Sequence, residues 1–436
     1  MKITIVNTFA NAGGAARAAH RLHSGLRSIG HESTMYVSEG WGDSVVKHKP
    51  RKRSEALHTP RLRRVLARIW KRGLLELKLI PLTFDDYAES RPPGLDKYSE
   101  ASSKFGADIL GGIPPCDVIN LHWVADFVDC SLLPLLGEKP LVWTLHDMNP
   151  FTGGCHYDDG CPKYLESCGA CPQLGSGRAC DLSKKVFLQK QTAFRKLDPG
   201  RFHVVAPSRW LAEEASRSTL MKPFSCSVIP NGLNTNVFAP RNTEWLRETF
   251  GIPEDGKVIL FVADSVGNRR KGIQYLLDAL GAFRDSSKVT LLSVGSGEIE
   301  VPGSFRYIRI GRIEDDRLLS IIYSSVDVFV IPSVQDNLPN TVLESISCGT
   351  PIVGFDVGGI PDVVRNGETG ILVRQGDVFG MKSAIEGILS NDKLRESMSR
   401  NCRALALREY SEDVQAKRYI SVYESVSQVQ PACREV

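Results

Sequence analysis

Short apolar runs alternate with helix-periodic stretches along this chain, and the alternation happens twice. "KITIVN" opens the sequence, followed by the small, flexible "TFANAGGAA", the helical "ARAAHRLHSGLRSIGH" and a second run, "ESTMYVS". A strand, a glycine loop, a helix and another strand open a parallel α/β domain. "CDVINLHW", "KPLVWTLHD" and "FHVVAPS" continue it as strands apolar enough to be buried on both faces. "SVIPNGLNTNVFAP" then reads as a connector, after which the pattern restarts. "KVILFVADS", "VTLLSVGSG", "FRYIRIG", "VDVFVIPS", "TPIVGF" and "TGILV" are strands, with "GIQYLLDALGAF", "DDRLLSIIYSS" and "NTVLESIS" among the helices between them. The expected fold class is α/β, with two Rossmann-like doubly wound domains facing a central cleft.

The 436 residues exceed one ordinary core and suit two domains. The split falls near 200–235: an amino-terminal domain over 1–205, a carboxy-terminal one over 206–410, and a final helix over 411–436 opened by Ser411. A net charge of +4 argues against a dedicated nucleic-acid binder. The positive charge concentrates at residues 47–78, where Leu62, Val65, Leu66, Ile69, Trp70 and Leu74 recur at helical spacing. Such a basic amphipathic insert, about 47–80, suits an anionic membrane surface, and a surface helix docked on the core is the plainer alternative. No run approaches the roughly 20 apolar residues of a membrane span, and "MKITIVNTF" reads as a strand rather than a leader. These features imply a cytoplasmic protein, in contact with the inner face of the membrane if the basic insert lies there.

In open α/β sheets, ligands bind beyond the carboxyl ends of the strands, so the loops that follow strands carry the chemistry. "VQDNLPN" follows "DVFVIPS" and leads into the helix "NTVLESIS", with Asn340 as candidate N-cap. Exposed N–H groups near Asn340 and Thr341 favour an anion such as phosphate. Glu344, one turn into the helix, is placed to accept two ribose hydroxyls, and Asp336 and Asn337 lie in the loop beside it. A solvated Glu on a capped helix is the plainer alternative. "DSVGNRRKG" follows another strand and brings Arg269, Arg270 and Lys271 to a loop–helix junction, which suits a diphosphate. Gly13 and Gly14 follow the first strand without a full G-x-G-x-x-G fingerprint. His146 and Asp147 end the strand "LVWTLHD", where a polar site residue and a hydrogen-bonded structural His are both reasonable.

Taken together, "VQDNLPNTVLESISCGTPIVGFDVGGIPDVVRNGETGILV", the "GG" loop, "LHD", "APSRW", "VIPNGLNTNVF" and Lys271-Gly272 resemble the retaining glycosyltransferases of family 4, of the bacterial exopolysaccharide and colanic-acid type. The resemblance covers nearly the whole chain. It implies the GT-B fold and a hexosyltransferase that moves a sugar from a nucleotide-diphosphate donor to a saccharide or lipid-linked acceptor in surface polysaccharide synthesis. By this resemblance Glu344 holds the ribose, Lys271 with Arg269 or Arg270 neutralises the diphosphate, and Asn340 and Thr341 bind the distal phosphate. Asp336 and His146 contact the donor sugar, and Gly13 and Gly14 shape the facing wall. Two features depart from the family. Asp336 stands where the family has Glu, and the usual Gly-Arg before the basic loop is missing. A GT-B nucleotide-sugar 2-epimerase and a non-catalytic carbohydrate-binding protein share the fold and stay open as alternatives.

"GGCHYDDGCPKYLESCGACPQL" holds Cys155, Cys161, Cys168 and Cys171, the last two as C-x-x-C. Four Cys with Gly and Pro between them suit a structural zinc, with His156 or Cys180 as substitute ligands for the widely spaced first pair. Two disulfides and a buried thiol cluster are the other arrangements. Catalysis by this route needs no cofactor.

Overall fold

The computed structural model describes residues 1–49, 83–283, 287–302 and 305–429. The first domain is a parallel sheet of β1 (Lys2–Phe9), β2 (Glu32–Glu39), β3 (Val45–Lys47), β4 (Val118–Leu121), β5 (Leu141–Thr144), β6 (Phe202–Ala206) and β7 (Ser225–Val228), in the order β3-β2-β1-β4-β5-β6-β7. The second is a parallel sheet of β8 (Lys257–Ser265), β9 (Val289–Ser296), β10 (Arg306–Gly311), β11 (Val328–Ile331), β12 (Ile352–Phe355) and β13 (Gly370–Val373), in the order β10-β9-β8-β11-β12-β13. The central strands β4, β5, β11 and β12 are buried along their whole length, which explains their unbroken apolar sequences. Six helices matter below: α1 (Gly14–Ser28), α2 (Arg209–Arg217), α3 (Ile273–Gly281), α4 (Asp316–Ser324), α5 (Asn340–Ser347) and α6 (Glu412–Ser427).

Each sheet reverses its strand order once, between β1 and β4 in the first and between β8 and β11 in the second. Loops on either side of such a reversal diverge and leave a crevice. The loops at these two points are the ones that carry Gly13-Gly14, Arg269–Lys271 and Asp336.

The expected division at residue 205 needs correction, because it cuts β6. The first sheet runs on through β7, whose register pairs His203 to Ala206 with Ser225 to Val228. β7 is short, polar and half-exposed, so it has no apolar run by which to find it. The chain crosses to the second domain just beyond, near Leu233, and crosses back at Tyr410–Glu412. The two crossings are bonded to each other, Leu233 N–H to Tyr410 O (2.9 Å) and Glu412 N–H to Leu233 O (3.1 Å). The basic insert expected at about 47–80 lies outside the described residues apart from its first three. Of these, Lys47 ends β3 and His48 is buried against the Tyr36 hydroxyl at 2.6 Å.

Ser411 caps α6 by accepting the Val414 N–H at 3.3 Å. The helix then lies across the first domain. Ala416, Tyr419 and Tyr423 join Ile3, Ile5 and Leu22 in one apolar cluster. The Tyr419 and Tyr423 hydroxyls bond Thr144 Oγ1 (3.0 Å) and Asn120 Nδ2 (2.7 Å).

Glu412, at the start of this helix, is partly buried between α1 and α6. Burial pushes its carboxyl up to about 7, with Asp413 and Asp316 adding to the rise and Arg21 opposing it. The charged form is disfavoured in the fold, so the contribution to stability is complete below the unfolded value near 4.5 and is lost as pH rises through about 7. Discounted for its partial exposure, the effect is about 1–2 kcal/mol. Glu412→Gln is therefore expected to raise the melting temperature at pH 8 and to leave it unchanged at pH 4.5. Equal shifts at both pH values would contradict this.

Candidate active site

The basic loop after β8 folds into a single 3-10 turn, Arg269–Lys271, because Asn268 accepts the Arg270 N–H at 3.0 Å and Gly272 then takes a left-handed conformation. This turn points two of its three cations at the loop after β11. Lys271 Nζ lies 2.5 Å from Asp336 Oδ2, and Arg270 Nη1 lies 3.2 Å from the same oxygen. Arg270 also binds the Gln335 carbonyl (2.9 Å) and, across the cleft, Asp96 (2.5 Å). Arg269 is exposed and takes no part, so the structure assigns the inward guanidinium to Arg270. Burial alone would raise the Asp336 carboxyl. Lys271 and Arg270 outweigh it and bring the group down to about 2, so Asp336 is ionised throughout the physiological range.

α5 begins at Asn340 with Pro339 as its N-cap, which corrects the expectation that Asn340 caps it. The Asn340 side chain reaches instead into the first domain and donates to Gly14 O at 2.9 Å. Asn337 also spans the cleft: its Nδ2 donates to His146 O (3.1 Å) and its Oδ1 accepts from Ser208 Oγ (2.7 Å), just before α2. Glu344 is buried, accepting from Arg21 of α1 at 2.8 Å and from the Tyr323 hydroxyl at 3.3 Å. Asp336, Lys271, Arg270, Asn337, Asn340, Thr341 and Glu344 thus line one edge of the second sheet, with Gly14 and His146 meeting them from the first.

His146 does not stand alone. Its Nε2 lies 2.9 Å from Nδ1 of His122, which begins the loop after β4 at the first sheet's reversal. Burial lowers His146 to about 4 and His122 well below the usual histidine range, so the pair is neutral at pH 7. His146 therefore meets a ligand as a hydrogen-bonding group and not as a cation. His122 escaped the sequence reading although "INLHW" places it at a strand end by the same logic as His146.

The neighbouring Asp147 anchors the Cys-rich segment. It accepts from Trp123 Nε1 (2.8 Å), the Asn149 N–H (2.9 Å) and His156 Nδ1 (2.6 Å). Burial alone would raise its carboxyl, but His156 and the other donors hold it below the usual range. The other His156 nitrogen meets Ser99 Oγ at 3.1 Å, so this ring is committed and is not a substitute metal ligand. Cys155, Cys161, Cys168 and Cys171 line one small pocket together with Tyr98 and Tyr164, and all four are free thiols. Burial raises Cys155, Cys168 and Cys171. Among the described residues no three His, Cys, Asp or Glu form a group able to hold a metal.

From this segment Tyr157 extends into the cleft. Its ring lies 4.0 Å below the Arg270 guanidinium, and its hydroxyl is 3.4 Å from Asp336 Oδ1. Asp158 accepts from Gln335 Nε2 at 2.5 Å. Asp96 and Tyr157 sit in irregular loops with no pattern around them, and nothing in the sequence signals that they meet the basic turn.

A cleft with two cations at a loop–helix junction, an ionised acid between them and neutral imidazoles opposite can hold a diphosphate and read hydroxyl groups. Comparison with known proteins agrees with that chemistry. Residues 256–391 match the family described as glycosyl transferases group 1. An uncharacterized glycosyltransferase of Methanocaldococcus jannaschii is 26% identical over 72% of this chain and 76% of its own length. A putative colanic acid biosynthesis glycosyl transferase of Escherichia coli is 26% identical over 71% and 74%. The phosphatidyl-myo-inositol mannosyltransferase of Mycobacterium leprae is 34% identical, but over 46% of this chain and 53% of its own length, so the chain spans about half of that relative. Sucrose-phosphate synthase from Thermosynechococcus elongatus superposes over 98% of this chain and 99% of its own, with a TM-score of 0.63 at 18% identity. HepE of Anabaena, solved with UDP and glucose, does so over 98% and 100%, with a TM-score of 0.61 at 15% identity. The fold is GT-B, two Rossmann-like domains, and the chain is a homologue of glycosyltransferases.

Proposed function

We propose that this protein is a retaining hexosyltransferase that transfers a sugar from a nucleotide-diphosphate donor to a saccharide or lipid-linked acceptor, in the assembly of a surface polysaccharide. The observation that carries the reading is the Arg270–Asp336–Lys271 triad at the reversal of the second sheet, facing His146 from the first. Without donor, Lys271 neutralises Asp336. With donor, its ammonium turns to the diphosphate while Arg270 keeps Asp336 ionised, leaving that carboxylate to accept sugar hydroxyls.

In the reaction the bond between the anomeric carbon and the terminal phosphate oxygen breaks. The acceptor hydroxyl bonds to that carbon on the same face, and its proton passes to the departing phosphate oxygen. No side-chain base is required. The protein's contribution is charge stabilisation of the leaving diphosphate by Lys271 and the start of α5, and exclusion of water by the closed cleft. The colanic-acid relative supports the polysaccharide setting, and the UDP-bound neighbour makes uracil the first base to test. Among the described residues no helix is long and apolar enough to cross a membrane. A cytoplasmic enzyme meeting a lipid-linked acceptor at the inner face of the membrane, through its basic insert, fits this reading.

A thermal-shift panel of UDP, GDP, ADP, dTDP and CMP tests it. One diphosphate at about 100 times its dissociation constant is expected to add roughly 2.7 kcal/mol of stability, and Lys271→Ala is expected to abolish the shift. A folded protein that responds to none of them would overturn the donor site.

A further inference from the structure

Glu344 owes its only cation in this structure to the other domain, among the described residues. Arg21 projects from α1 with its side chain 5% exposed, and its Nη2 lies 2.8 Å from Glu344 Oε1 and 3.3 Å from Asp316 Oδ2. The guanidinium also sits 5.2 Å over the Phe238 ring. Glu344 itself is 2% exposed, and within its own domain its carboxylate has the Tyr323 hydroxyl on Oε2. A carboxylate buried to that degree needs charged or hydrogen-bonding partners to hold it in one orientation. Arg21 Nη1 is buried and has no partner among the described residues.

We propose that Arg21 is a positioning residue for the donor ribose: docking of the first domain completes Glu344 as a hydroxyl acceptor. The inference rests on the donor-site reading above. An ionised carboxylate offers about four acceptor directions. Arg21 and Tyr323 occupy two, one on each oxygen, and the remaining two match the vicinal hydroxyls of a ribose. The unpartnered Nη1 supplies a donor for a ribose oxygen in the same place. The second domain alone thus carries an incomplete nucleotide site, and ribose recognition is coupled to closure through one ion pair. No sequence signal marked Arg21, since it lies inside a helix with no motif around it.

The test compares binding of UDP and 2′,3′-dideoxy-UDP by calorimetry to the wild type, Arg21→Met and Arg21→Lys. The wild type is expected to prefer UDP by at least about tenfold, because hydrogen bonds to a charged group are lost in the analogue. Arg21→Met is expected to weaken UDP by a similar factor and to leave the dideoxy analogue unchanged. Arg21→Lys, which keeps the charge but not the fork, is expected to fall between them, and it carries the test if Arg21→Met does not fold. Equal weakening of both nucleotides would make Arg21 an ordinary structural contact, and tighter UDP binding would make it a competitor of the ribose. Either result overturns the proposal. A wild type that binds UDP but ignores the missing hydroxyls would overturn the ribose role of Glu344 together with this inference, and one that binds neither would overturn the donor site itself.

Discussion

Lys271→Ala is expected to lower turnover of the donor by about 10²–10³-fold, the usual consequence of removing one preorganised charge from a developing anion. The fold should survive the change. Asp336 keeps Arg270 at 3.2 Å and the Ser333 hydroxyl at 3.4 Å, so the buried carboxylate is not stranded. The diagnostic result is therefore a near-wild-type melting temperature together with a collapsed kcat. Steady-state release of nucleoside diphosphate, with and without an acceptor sugar, measures it. A loss below tenfold would remove Lys271 from the leaving-group site. The comparison variant is Arg270→Met, which removes the one guanidinium shared by Asp96, Asp336 and the Gln335 carbonyl, leaves Asp336 with Lys271 alone, and should lower stability and rate in parallel.

Gly272→Ala is expected to be strongly damaging although it adds a single methyl group. Gly272 has φ +68°, and a Cβ there would lie 1.9 Å from the Pro332 carbonyl oxygen, which is backbone at the end of β11. Neither partner can yield without moving the basic turn or the start of the Asp336 loop. We expect a cost of about 3–4 kcal/mol, the range of a steric clash compounded by backbone strain. Nucleotide binding should vanish along with it, because Lys271 is the preceding residue. Gly367→Ala is the control. It also has a positive φ, +80°, but open space around the new methyl, so only the conformational cost of about 1 kcal/mol remains. Denaturant midpoints of the two variants separate clash from strain. Equal losses would show that the Pro332 contact is unimportant.

The sequence revealed the strands because β1, β4, β5, β8, β11 and β12 are buried and say so in unbroken apolar runs. It failed at β3 and β7, which lie at the two edges of the first sheet and carry no such run. The same division holds at the site. Lys271, Asp336, Glu344 and His146 are readable as candidates because each follows a strand on one chain segment, so spacing along the sequence reports their position. Arg21, Asp96 and Tyr157 meet Glu344, Arg270 and Asp336 across the cleft, at separations of 174 to 323 residues. One-dimensional spacing carries no record of such pairs. Asn340 was misjudged for the same reason: local rules assigned it a cap, while a contact with Gly14 across the cleft claimed its side chain.

The placement of α6 affects how the protein is made. Five of its residues, Ala416, Tyr419, Val422, Tyr423 and Val426, belong to the apolar cluster that backs β1 and α1. A ribosome that has finished β7 must still deliver roughly 200 residues, about 10–40 s of synthesis, before that face is covered. During that interval the nascent first domain shows an unfilled apolar trough beside Ile3, Ile5 and Leu22. The last helix is thus the lid that ends its exposure to aggregation, and holdase chaperones have their clearest window on this chain before translation is complete.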